Sequence, residues 1–246
     1  LTNKPKAYYH ERPMIHKLLA DSRFGRHPGN AFPVYSRAEF LADAAIHVLG
    51  VTAALAAVAW LLLRSWHGVR PGILLSLLIY CSGLLGMLSA SAAYNITPAS
   101  PAKAILRRLD HAMIYVMIAG TYTPFALAAI GGGQGLALAI ISWSAAVLGI
   151  VLKVGFPGRI EWFGFALYLG MGWMVVVVIN QVFQALSITS FMLLICGGVI
   201  YTLGAAVHCM HRLRFHNAYW HGLVVIAVTS HFAAVVSLPA LKPAIG

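Results

Sequence analysis

Acidic residues are scarce in this chain: six Asp and Glu stand against 17 Lys and Arg, and charged residues make up only 9% of 246. Soluble domains carry roughly 25% charged residues, so a water-solvated globular surface is excluded. Cysteine is equally sparse. Cys81, Cys196 and Cys209 lie in or beside apolar runs without C-x-x-C spacing, which excludes a disulfide framework. Neither an internal repeat nor a change of composition marks a second domain. The formal charge of +11 raises nucleic acid as a partner, but the basic residues sit in tails and turns between apolar runs, where they face anionic headgroups. No nucleic-acid partner is expected.

What the chain has in quantity is apolar sequence, 60% of its residues, with a mean hydropathy of +0.81. Seven apolar runs cover roughly 40–63, 72–94, 111–130, 136–154, 162–183, 187–207 and 219–238. Each is near the ~20 residues that cross ~30 Å of hydrocarbon. In lipid an isolated strand leaves its backbone unsatisfied, so every run reads as a helix. The expected fold is all-α: a polytopic, seven-transmembrane bundle spanning 39–241, after a basic tail (1–38) and before a short outer tail (242–246). The first 38 residues are polar, basic and broken by Pro28, Gly29 and Pro33, unlike a secretory leader. Within them, residues 13–20 read as an interfacial helix.

Charge gives the orientation. The N-terminal side of this topology collects fourteen Lys and Arg against three (Arg64, Arg70, Lys242) on the other. The positive-inside rule then puts the N-terminus in the cytoplasm and the C-terminus outside. The expected location is the cell's inner (plasma) membrane.

Between runs two and three, Ser100-Pro101 reads as an N-cap with proline in the first helical position. Ala102, Ile105, Leu106 and Leu109 follow at helical spacing opposite Lys103, Arg107 and Arg108, the pattern of a short amphipathic helix on the inner leaflet. Gly131-Gly-Gly-Gln-Gly135 is the clearest turn, and Pro124 should kink span three by freeing a carbonyl near Gly120.

Polar residues gather at one depth. Span one carries Glu39, Asp43 and His47 at helical spacing on one face. Span two ends with Ser91 and Asn95, span three opens with Asp110 and His111, and span seven opens with His216, Asn217 and His221. Ionisable groups inside a membrane are functional candidates by default. The candidate pocket is therefore Glu39, Asp43, His47, Ser91, Asn95, Asp110, His111, Asn217 and His221. His231 lies deeper and reads as a hydrogen-bonded bundle residue. Tyr115, Tyr122, Tyr168, Trp173 and Trp220 read as packing and belt residues. No continuous polar stripe runs through any span, which ranks a pore or a transporter low.

The run Arg107-Arg-Leu-Asp-His-Ala-Met-Ile-Tyr-Val-Met-Ile-Ala-Gly-Thr-Tyr-Thr-Pro-Phe125 resembles the hemolysin III proteins, which group with the progestin and adipoQ receptors and the adiponectin receptors. Glu39, Asp43, His47 and Gly50 resemble that family's first motif, and Trp220-His221 with His231-Phe232 its last. The resemblance implies seven spans and a zinc site near the cytoplasmic surface. One histidine of the second span and an H-x-x-x-H pair of the seventh hold the metal there, with a serine and an aspartate nearby. Carried over, the serine matches Ser91, the aspartate Asp110 and the last histidine His221. Asn95 and Asn217 stand at the other two ligand positions.

An amide oxygen is a poor zinc ligand, so the resemblance implies zinc at a degenerate site, with His221 and Asp110 the remaining metal candidates. Two functions stay open. One is a non-catalytic membrane protein that binds membrane lipids, acts as a receptor-like module or partners another membrane protein. The other is a zinc-dependent, ceramidase-like hydrolase of amide or ester lipids, with Asp110 and Ser91 catalytic.

Overall fold

The computed structural model describes Phe32 and residues 35–156 and 161–241, the side chains of residues 161 and 162 excepted. The segment at 13–20 read as an interfacial helix lies outside the described residues. Helices run α1 (Arg37–Ser65), α2 (Pro71–Ile96), α3 (Pro101–Pro124), α4 (Gly132–Gly155), α5 (Glu161–Gly172), α6 (Ile179–Ala185), α7 (Ile188–His208) and α8 (His216–Val236). No strand occurs among the described residues. Seven helical segments are long and apolar enough to cross a membrane. α5 and α6 together form span five, α7 is span six and α8 is span seven.

Span three differs from the sequence reading. The amphipathic segment and the apolar run form one helix from Pro101, capped by Ser100, whose hydroxyl accepts from the Lys103 N–H. Nothing between Leu109 and Ala112 breaks a helix, so the two segments fuse. Asp110 and His111 thus lie nearly three turns inside α3 rather than at its start. At the far end Pro124 closes α3, and Phe125–Ile130 continue as a π-helical turn. A proline cannot donate to the carbonyl four residues back and its ring crowds that turn, which widens the helix beyond it. Gly131 (φ 66°) and Gly132 (φ 58°) then take left-handed backbone, where a side chain would be strained.

Span five is also not one helix. α5 ends at Gly172, a 3-10 segment covers Met174–Val178, and α6 resumes at Ile179. A broken span leaves backbone groups that lipid cannot satisfy. The bundle supplies partners: the Tyr122 hydroxyl donates to the Met171 carbonyl (3.0 Å) and accepts from the Val175 N–H (2.9 Å). The Trp173 indole donates to Thr202 on span six (3.0 Å).

Span one packs on spans two and seven, span two on three, three on four, and six on seven. Tyr80, Leu77, Leu84, Met117, Phe125, Val235 and Leu238 are buried at the centre. His231 Nε2 donates to the Leu194 carbonyl (3.0 Å), so Nε2 carries the proton, and the ring packs on Gly197.

A buried carboxylate, histidine and amide network

Ser36 begins the site. Its hydroxyl accepts from the Glu39 N–H (3.3 Å) and the Glu39 carboxylate accepts from the Ser36 N–H (3.0 Å), a reciprocal capping box. The other Glu39 oxygen accepts from the Phe215 N–H (3.1 Å). Phe215 is the N-cap of α8 and holds a left-handed φ of 60°; its phenyl ring has no acceptor to cap the helix. One carboxylate therefore ties the starts of spans one and seven together, and Glu39 serves the frame of the site rather than its interior.

One turn further along α1, Asp43 is buried and faces α8. Its Oδ1 accepts from His221 Nδ1 at 2.6 Å, and its Oδ2 accepts from Asn217 Nδ2 at 3.0 Å. Asn217 Nδ2 also donates to Asn95 Oδ1 at 3.3 Å, and Asn95 Nδ2 donates to the Ser91 carbonyl at 3.0 Å. Helical spacing of four places Asn217 and His221 on one face of α8, as it does Asp43 and His47 on α1. The His47 and His221 rings lie 4.3 Å apart between centroids.

His47 Nε2 stands 3.5 Å from Asp43 Oδ2, longer than a full hydrogen bond. It has no hydrogen-bond partner among the described residues. Asp43, His47 and His221, all buried, offer donor atoms within 4.8 Å of one another.

The carboxylate in contact with His221 is thus Asp43. Asp110 lines the same cavity as Ser91, Asp43 and His221. It stands outside the compact donor group because α3 packs on span two, whereas span one packs directly on span seven. His111 and His216 line the adjoining cavity.

That cavity has a volume of about 1340 Å³. At one end stand Asp43, Asn95, Lys103, Asp110, Asn217 and His221, and its other end is lined by Phe125, Leu138, Val175, Val182 and Leu194. Lys103 was not singled out by the sequence reading. Its ammonium donates to the Thr97 carbonyl (2.6 Å) and lies 5.1 Å from the Tyr94 ring centroid. The amphipathic pattern hid it, because a lysine on a polar helix face reads as solvated.

A family model described as Haemolysin-III related matches residues 39–232. A protein called Hemolysin-3 homolog from Bacillus subtilis (strain 168) is 35% identical over 199 residues, 80% of this chain and 93% of the relative. Hemolysin-3 from Bacillus cereus is 32% identical over 188 residues, 76% of this chain and 85% of the relative. The zinc positions that the resemblance implies, 95, 217 and 221, hold two amides and one imidazole here. Both amides are engaged in the network just described, so those three positions do not fit zinc.

Proposed function

This chain belongs to the haemolysin-III related family and is a multi-pass membrane protein; from that premise we propose that it binds one membrane lipid without turning it over. The lipid head rests against Asp43, Asn95, Lys103 and Asn217, and its chain lies in the apolar part of the cavity. The observation that carries this reading is the cavity itself, polar at one end and apolar at the other, at about 1340 Å³. Small-molecule pockets run to roughly 300–1,000 Å³, so an amphiphile with a long chain suits it. The amide pair supports the non-catalytic half of the reading. Where the family pattern has imidazoles for zinc, Asn95 and Asn217 bond to each other and to Asp43.

The test is lipid extraction and mass spectrometry of protein purified in mild detergent. About one lipid per chain is expected to survive purification. Leu138→Trp and Val182→Trp, which fill the apolar end, should each lower that load about tenfold while the protein still elutes as a monodisperse species. An empty wild-type protein, or an unchanged load in both variants, refutes lipid binding. Receptor-like or structural roles beside another membrane protein would then remain.

A second reading, a metal-dependent hydrolase of amide or ester lipids, is favoured by Asp110 and Ser91 lining the cavity beside the network. In such enzymes the ion lowers the pKa of a water and polarises a carbonyl. Asp110 would hold a proton and Ser91 would donate to the substrate carbonyl. Turnover of a ceramide-like lipid that vanishes in Asp110→Asn would replace the first reading with this one.

A further inference from the structure

Asn95 and Asn217 remove the ligands that the family pattern places on spans two and seven, yet a different donor set stands beside them. We infer that Asp43, His47 and His221 form a binding site for one divalent transition-metal ion, carried by spans one and seven at the polar end of the cavity, where Asp43 is shared with the lipid head.

Three observations carry it. The donor chemistry is right, since one carboxylate and two imidazoles are a zinc-type set, and their donor atoms lie within 4.8 Å of one another. His47 is only 4% exposed, and its Nε2 has no hydrogen-bond partner among the described residues. Buried polar atoms are almost always satisfied, so an orphaned imidazole nitrogen turned toward a carboxylate points to a ligand. Finally, Asn217 donates to Asp43 Oδ2, which orients the carboxylate in the manner of an outer-shell partner. The Asp43 carboxylate also offsets half of a divalent charge.

The two ligands on α1 are four residues apart, and the third sits on the helix packed against it. Loading therefore asks for side-chain movement alone. The 2.6 Å contact of Asp43 with His221 is a hydrogen bond from the imidazole to the carboxylate, and the ion takes the place of that proton.

The full chain in detergent micelles is stripped with a chelator, reloaded with Zn²⁺ or Co²⁺, desalted and assayed for bound metal. Wild type and Asn95→Ala are expected to retain about one ion per chain. His47→Gln and His221→Gln, close to imidazole in size, should retain about tenfold less or worse at the same chelator concentration. X-ray absorption of the zinc-loaded wild type gives a reading that needs no variant, with two imidazole ligands expected. Failure of the wild type to retain metal, retention in a folded His47→Gln, or a single imidazole in the absorption spectrum each overturns the inference. Lipid load in Leu138→Trp and Val182→Trp, which fill the apolar end and leave Asp43, His47 and His221 in place, separates failure of the lipid reading from failure of this one.

Discussion

Tyr122 repairs span five: its hydroxyl accepts from the Val175 N–H at 2.9 Å, across a break that would otherwise leave backbone groups unpaired within the bundle. The same oxygen donates to the Met171 carbonyl on the other side of the break. One phenol from α3 thus satisfies both lips of the gap. A break in a membrane span is tolerated only where neighbours re-satisfy the backbone.

Tyr122→Phe keeps the ring and removes the hydroxyl. It is expected to lower stability by about 1–3 kcal/mol, the cost of leaving a buried polar group unpaired. Thermal unfolding in micelles measures it, with Trp173→Phe as a second probe of the same junction. An unchanged midpoint for Tyr122→Phe would mean that other groups serve the break.

Glu39 joins two helix starts that are far apart in sequence, capping α1 through Ser36 and holding the Phe215 N–H of α8. Glu39→Ala should loosen both starts without unfolding the bundle. Hydrogen exchange checks this: protection should drop at residues 36–40 and 215–218 together and hold at residues 224–235. Loss of protection at only one of the two starts would show that the carboxylate does not couple them.

The spans were legible because length and hydropathy alone decide what crosses a bilayer. The shared depth of Asp43, Asn95 and Asn217 followed from helical spacing once the topology was laid out. Three things were not legible. Fusion of the amphipathic segment into α3 depends on the absence of a breaker, which periodicity does not weigh. The break in span five lies in Gly172-Trp-Met-Val-Val-Val-Val178, an apolar stretch whose β-branched residues lower helix propensity only slightly, so the deciding contacts come from Tyr122 and Thr202. The pairing of His221 with Asp43 rather than Asp110 depends on which helices touch, and a linear sequence carries no direct record of that.

Tyr35, just before α1, gives a pH prediction. Burial first, and then the neighbouring Tyr94, Asp43 and Glu39, push its phenol up to about 12 from the usual 10.0. The folded state therefore keeps this proton where the unfolded chain has lost it. The stabilising effect is full below the unfolded pKa of about 10 and is lost as pH rises through 12. An absorbance titration of wild type minus Tyr35→Phe should show one phenol ionising near 12. A difference signal centred near 10 would show that Tyr35 is solvated.

The last prediction concerns the two amides. Asn95→His with Asn217→His would place imidazoles at both positions beside His221, the ligand pattern that the resemblance implies. Asn217 Nδ2 already lies 3.3 Å from Asn95 Oδ1, so the two new rings would meet at one point between spans two and seven. The double variant exchanges the Asp43 and His47 ligands for two imidazoles in another three-ligand set around His221, so it is expected to hold zinc at least as tightly as the parent. Competition against a chromophoric chelator measures both affinities. The decisive comparison adds His47→Gln to each background. Zinc retention by the parent should collapse with that change, because His47 is a ligand there. The double variant should keep its zinc, because its three ligands no longer include His47. A folded double variant that loses its zinc with His47→Gln would mean that positions 95, 217 and 221 do not converge on one ion.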